Sequence, residues 1–220
     1  SVTNLITISK DVATATLNNL TQTYNGSPRV VTGTTVPAGL TVDITYDGAA
    51  IAPTNVGVYV ITGTVYDVVY QGTATGALIV AAAGQSITFN NPGAQVVTNS
   101  VKLIATAGSG LSVTFAVVSG PATLNGGSNL SFNATGQVSV AASQAGNANW
   151  NPAPSVTNTF IVGKRSVIIT LNNMNRTYNG NRRWVTATTV PAGFTVAITY
   201  DGLLSAPINA GSYVVTGVVN

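Results

Sequence analysis

Several residue types that carry much of enzyme chemistry are missing from this chain of 220 residues. It contains no histidine and no cysteine, and glutamate is absent as well. Their absence excludes a Ser-His-Asp triad, a thiol nucleophile, a disulfide and a zinc site of the usual ligands. We therefore expect a protein that is not an enzyme and that holds no cofactor and no metal.

Charge and long apolar runs are also scarce. Charged residues make up 6% of the sequence, whereas about a quarter is usual for globular chains. A net charge of +3 is too small and too dispersed to indicate a nucleic-acid partner. The longest apolar run, residues 76–83, is far too short to span a bilayer, so we expect no membrane insertion in this segment.

What the sequence does contain is a long internal repeat. Shifting the chain by 154 residues aligns residues 12–66 with 166–220, and 33 of these 55 positions are identical. A repeat of this length indicates a tandem of similar modules. The shift also aligns residues 1–4 (Ser-Val-Thr-Asn) with residues 155–158, so the chain reads as part of an alternating array.

The best-preserved stretch of the repeat has the pattern of a half-buried strand. In Leu40–Tyr46 apolar residues alternate with Thr41, Asp43 and Thr45, which is the period of a β-strand. Asp47-Gly48 follows and favours a tight reversal with positive φ. The spacing of strands and turns predicts an all-β fold, a tandem array of small antiparallel β-sandwich domains of the immunoglobulin-like (Ig-like) kind.

The repeat sets the expected boundaries. Residues 12–83 form a first module, residues 84–164 a middle module of different sequence, and residues 165–220 a last module. The last module has no counterpart of residues 67–83, which include a strand in the first module. Residues 1–11 are expected to be the closing strand of a preceding module, or a donor strand that completes the last module of another copy through Val2, Leu5, Ile6 and Ile8.

Particular motifs resemble known families. Residues 17–26 (Leu-Asn-Asn-Leu-Thr-Gln-Thr-Tyr-Asn-Gly), 36–40, 45–48 and 53–59 resemble the MBG or YDG repeat, a mostly-β, glycine-rich repeat of large bacterial surface proteins. Residues 117–124 and 141–150 of the middle module are similar to bacterial Ig-like repeats. The resemblance implies an extracellular, non-catalytic stalk or adhesin segment, and it supplies no catalytic residues.

One cluster could bind a ligand. Arg176, Arg182 and Arg183 lie near Trp184 in the sequence, and such a basic aromatic patch could hold an acidic glycan through charge and stacking. The alternative is that Trp184 fills the core and the arginines only keep a neutral surface soluble.

The sequence therefore leaves three functions open. We expect a stalk whose partners are neighbouring modules. The alternatives are a subunit of a self-assembling filament, whose partners are copies of the same chain, and a module that binds surface glycans.

Overall fold

The computed structural model describes residues 2–219. This range contains strands, turns and irregular segments but no helix, and hence none that could cross a membrane. The predicted all-β fold of small β-sandwich domains is confirmed.

Eight strands run from Asp11 to Ala81. They are β1 (Asp11–Val12), β2 (Thr14–Asn18), β3 (Thr21–Thr23), β4 (Thr32–Val36), β5 (Val42–Tyr46), β6 (Gly57–Val65), β7 (Tyr70–Gln71) and β8 (Thr73–Ala81). One sheet has the order β3-β8-β6-β5, and a two-stranded sheet pairs β2 with β4. The β3–β8 and β1–β7 pairs are parallel, and the other pairs of this module are antiparallel.

Nine strands form the middle module. They are β9 (Ile87–Phe89), β10 (Gln95–Val96), β11 (Ser100–Lys102), β12 (Ala105–Ala107), β13 (Thr114–Ser119), β14 (Ala122–Asn125), β15 (Asn129–Phe132), β16 (Gly136–Gln144) and β17 (Ala153–Gly163). β16 lies between β13 and β17, and β15 lies between β11 and β14. Phe132 packs edge-on against Phe160, with ring centroids 5.9 Å apart.

The last module has four strands among the described residues. They are β18 (Ile168–Asn172), β19 (Thr186–Val190), β20 (Val196–Tyr200) and β21 (Val215–Val219). The antiparallel pairs β18–β19 and β20–β21 reproduce β2–β4 and β5–β6 of the first module.

The strands form two compact units. The larger unit holds residues 2–95 and 99–162, and the smaller unit holds residues 96–98 and 163–219. The first module and most of the middle module thus belong to one unit. The three module boundaries expected from the sequence stay predictions.

One strand closes the core of the first module. Leu78 and Val80 of β8 are 0% and 2% exposed, and they cluster with Val31, Tyr46 and Ile61. The alternation predicted for Leu40–Tyr46 turns Tyr46 inward, where its hydroxyl accepts the backbone N–H of Val31 at 2.9 Å. This bond satisfies a buried donor that would otherwise destabilise the fold.

The same details recur in the last module. The Tyr200 hydroxyl accepts the N–H of Val185 at 2.7 Å. Asp47 and Asp201 both have φ of 48°, and each is followed by a glycine with positive φ, which confirms the predicted tight reversal. The carboxylates of Asp47 and Asp201 accept the N–H groups of Val60 and Val214.

The N-terminal residues 2–10 have no strand partner in the described part of this chain, and the closing or donor strand expected of them stays a prediction. The structure has no strand between Val2 and Lys10, although their sequence aligns with β17. A strand needs a neighbouring edge for its hydrogen bonds, and the structure shows no pairing for this segment. Val2, Leu5, Ile6 and Ile8 are all more than four-fifths exposed.

We predict that Leu78→Ala destabilises the larger unit by about 2–5 kcal/mol, because it opens a cavity in a closed core. Ile79→Ala is the matched control, since Ile79 is 47% exposed, and it should cost less than about 1 kcal/mol. Urea unfolding in a Trp184→Phe background, where Trp150 is the remaining tryptophan, measures both changes. Equal losses for the two variants would contradict the assignment of β8 as the closing strand.

Candidate functional site

A tight loop of the middle module, residues 146–151, meets the first module; we call it the Asn-Trp loop. Gly146 opens it with φ of 75°, and a Cβ there would lie 2.3 Å from the carbonyl oxygen of Trp150, so only glycine fits. The Asn147 carboxamide oxygen then accepts the N–H groups of Asn149 and Trp150 at 2.9 and 3.0 Å. These bonds lie within the loop and stabilise its conformation independently of its contacts with the first module.

Asn149 is the central contact of this loop. Its side-chain oxygen accepts the N–H of Val56 at 2.9 Å, and its Nδ2 donates to Oδ1 of Asn55 at 3.0 Å. Its backbone oxygen accepts the N–H of Ala83 at 3.0 Å, and the N–H of Asn151 donates to the Ala83 oxygen at 2.8 Å. One asparagine therefore ties the loop to two separate segments of the first module.

An aromatic contact accompanies these hydrogen bonds. Trp150 packs edge-on against Tyr24, with ring centroids 5.7 Å apart and planes at 81°. Trp150 also forms a parallel bridge with Ala83, two residues after the end of β8. We call the whole contact the joint; it lies within the larger unit.

The last module keeps part of the surface that receives this loop in the first module. Tyr178, Asn209 and Ala210 correspond to Tyr24, Asn55 and Val56. The Tyr213 hydroxyl donates to the Asn209 oxygen at 3.1 Å, as the Tyr59 hydroxyl does to the Asn55 oxygen at 2.9 Å. Tyr178 is 62% exposed, so this surface is accessible in the smaller unit.

An open groove of about 460 Å³ adjoins this surface. The buried residues Val185 and Tyr200 reach its wall, together with Val215. They are the counterparts of Val31, Tyr46 and Ile61, which pack against β8 in the first module. The remaining lining comes from residues 173–176, Tyr178, Arg183 and residues 207–213. The groove therefore opens directly onto the core of the last module.

The predicted basic aromatic patch is only partly brought together. Arg176 and Arg183 line this groove, and the Arg176 guanidinium donates to the carbonyl oxygen of Trp184 at 3.4 Å. Arg182 instead lines a shallower neighbouring groove of about 340 Å³, where its guanidinium donates to the Ser205 hydroxyl and the Ala206 carbonyl. Arg176 and Arg182 are thus engaged with the protein's own backbone.

Trp184 does not fill the core. It is 54% exposed, and its ring lies edge-on to Tyr200 at 6.4 Å. Its counterpart Val30 is also exposed, and the next residue, Val31 or Val185, is the buried one. The interpretation of Trp184 as a core residue was therefore wrong, because the backbone turns the following side chain inward.

The carboxylates of Asp43 and Asp47 lie at structural positions of the first module. Asp47 belongs to the tight turn, and Asp43 lies on an exposed position of β5. Within residues 2–219 no three acidic residues come together as a metal site would need.

The Asp67 carboxylate has a pKa that its hydrogen bonds lower. The N–H groups of Tyr70 and Val69 donate to it at 2.9 and 2.7 Å, and they lower its pKa below the ordinary 3.8. The Lys10 ammonium, which donates to the Asp67 backbone carbonyl, adds a smaller effect in the same direction. These bonds hold the turn between β6 and β7.

The sequence analysis missed the role of Asn149. Its motif, residues 141–150, was noted only as a family resemblance. The signal that could have found it is the run Gly146-Asn147-Ala148-Asn149-Trp150, because glycine and asparagine together favour a tight turn and the aromatic residue offers a contact.

Comparison with known proteins gives one strong match. A model of the MBG domain matches residues 13–84 and 168–220, together more than half of the chain. No curated protein matches the chain.

Several solved structures are weakly similar to this chain. Human protocadherin-24 EC1-2 is 11% identical, with a TM-score of 0.33, over 70% of this chain and 98% of its own. Mouse protocadherin-24 EC1-3 is 14% identical, with a TM-score of 0.34, over 91% and 79%. Bacteroides ovatus SGBP-B of the mixed-linkage glucan utilization locus, in complex with a mixed-linkage heptasaccharide, is 16% identical, with a TM-score of 0.24, over 93% and 60%. These values are too low to support an inference about function.

We predict that Asp67 makes stability depend on acid pH. Because its folded pKa is lowered, the stabilisation is present above its unfolded pKa near 3.8 and is lost as pH falls through the folded value. Asp67→Asn should remove this part of the dependence, whereas Asp43→Asn should keep it. Thermal unfolding midpoints measured between about pH 2 and pH 6 test this, and identical pH profiles for Asp67→Asn and the unaltered chain would contradict it.

Proposed function

The chain belongs to the MBG domain family, and we propose that it is a non-catalytic structural spacer in a bacterial protein of the extracellular surface. Membership of this family fits an extracellular, adhesin-type module. The neutral surface supports the same role, because 6% charged residues leave little electrostatic attraction to other macromolecules.

The observation that carries the proposal is the joint between the first and middle modules. A spacer transmits distance only if its modules keep their relative direction, and flexible connections would let the chain fold back. Asn149 supplies three of the hydrogen bonds of the joint, and Trp150 supplies the aromatic contact.

The strength of these contacts is adequate for a fixed joint. A hydrogen bond of this kind contributes about 0.5–1.5 kcal/mol, and an edge-on aromatic pair adds a similar amount. Several such contacts acting together exceed the thermal energy of about 0.6 kcal/mol, so the joint holds one arrangement most of the time.

A filament is the second candidate, and the exposed apolar segment with Val2, Leu5, Ile6 and Ile8 favours it. Exposed aliphatic side chains in a segment without strand partners can pair with a free sheet edge of another copy. The segment aligns with β17 of the middle module, however, and not with β8. It therefore has the sequence of a strand that closes a module of the middle type.

We predict that the full chain stays monomeric as its concentration rises. Sedimentation velocity checks this, with a Leu5→Asp/Ile6→Asp double variant as the control. Growth of oligomers by the unaltered chain and not by the control would favour the filament instead.

We predict that Asn149→Ala and Trp150→Ala loosen the joint without unfolding either module. In the unaltered chain, ¹⁵N relaxation should give the first and middle modules one rotational correlation time, because they move together. In either variant the two modules should report different correlation times. Asn125→Ala, which removes an exposed side chain that hydrogen-bonds Ser131 within the middle module, is the control and should change neither value.

Independent tumbling of the first and middle modules in the unaltered chain would contradict the proposed spacer function. Unchanged tumbling in both joint variants would show that the modules are held by other contacts.

A further inference from the structure

The first module shows what occupies the position of the groove described above. There β8 lies between β3 and β6, parallel to β3 and antiparallel to β6. Thr21 is opposite Ile79 on one side, and Gly57 is opposite Val80 on the other. The inward side chains of β8 complete the core.

The last module presents one strand edge of such a slot, at β21. Its β21 pairs with β20 along one edge, and the edge that β6 uses to bind β8 has no partner among the described residues. Residues 175–177, the counterpart of β3, form no strand in the smaller unit. Unpaired strand edges of this kind are templates for an added strand.

The floor of the slot combines apolar side chains with the polar ones of Asn173, Asn175 and Arg176. Val215 is only half-buried, whereas its counterpart Ile61 is 0% exposed. Met174 is 53% exposed, whereas its counterpart Leu20 packs against the core that β8 covers. Covering these side chains would remove apolar surface from water and supply a favourable free energy of binding.

One further contact determines which strand fits. A Cβ at Gly76 would lie 3.2 Å from Cδ1 of Leu20 and 3.4 Å from Cδ1 of Leu17. The corresponding residues of the last module are Met174 and Leu171. A small residue is therefore favoured two positions before the first inward aliphatic residue.

We propose that this groove is a strand-acceptor site and that its occupant is an extended polypeptide segment of the β8 type. The segment carries a small residue and then two aliphatic residues at alternate positions, as Gly76, Leu78 and Val80 do. It runs antiparallel to residues 211–219 and parallel to residues 175–177. This assignment stands on the repeat and the groove and does not depend on the spacer function.

The chain's own N-terminal segment does not meet the requirement. Only Ile6 and Ile8 provide aliphatic residues at alternate positions, and aligning them with Leu78 and Val80 places Asn4 at the position of Gly76. An asparagine there would crowd the side chains of Leu171 and Met174, whereas a glycine would not. We therefore expect a β8-type strand to be preferred over the N-terminus of a second copy.

A peptide with the sequence of residues 66–83 tests the proposal on the full chain. We expect saturable binding at one site, with NMR shift changes confined to residues 173–178, 185, 200 and 211–219. A Gly76→Val peptide should bind at least about tenfold more weakly, because overpacking destabilises the complex. A peptide of residues 2–10 should bind no better than the Gly76→Val peptide.

Two variants of the chain complete the test. Met174→Asp places a charge in the groove at an exposed position and should weaken binding of the peptide at least about tenfold. Leu204→Asp is the matched control, since Leu204 is also exposed but lines neither groove, and it should bind normally.

Three results would overturn the proposal. The first is no binding of the 66–83 peptide at millimolar concentration. The second is equal binding of the Gly76→Val peptide, which would show that the site does not select the strand. The third is tighter binding of the 2–10 peptide, which would make the N-terminus of a second copy the occupant.

Discussion

Burial of Leu78 and Val80 is the interaction on which the first module depends. These two side chains reach a core whose other members, Val31, Tyr46 and Ile61, come from earlier parts of the chain. Each buried aliphatic side chain stabilises the module by about 1.5–3 kcal/mol. Where β8 is present the core is closed, and in the last module the same core residues line a groove. One strand thus separates the closed core of the first module from the groove of the last module, where 33 of the 55 aligned residues are identical.

The end of β8 also begins the joint. Ala83 lies two residues after the end of this strand and exchanges hydrogen bonds with Asn149 and Asn151 of the middle module. The strand that closes the core therefore positions the backbone that receives the Asn-Trp loop. Stability of the first module and its attachment to the middle module are coupled through a few residues, which suits a chain that acts by holding its modules in line.

Local features of this fold could be predicted from the sequence because short-range chemistry determines them. The alternation in Leu40–Tyr46 predicted the bounds of β5 to within two residues, and Asp47-Gly48 predicted the tight turn that follows this strand. The parallel pairing of β3 with β8 could not be predicted, since it joins residues 58 apart in the sequence and depends on packing.

The candidate site was harder to predict than the fold. Arg176 looked like a ligand residue, but it donates to the Trp184 carbonyl much as Gln22 donates to the Val30 carbonyl. The sequence left open whether Trp184 is exposed or buried, because alternation is not defined outside a strand.

Hydrogen exchange at two matched amides tests the central claim most directly. The N–H groups of Val31 and Val185 make the same bond, to the hydroxyls of Tyr46 and Tyr200, in the closed and the open module. If β8 closes the core, the Val31 amide should exchange about 10²–10⁴ times more slowly than the Val185 amide, which corresponds to burial of two aliphatic side chains. Equal exchange rates would contradict the claim.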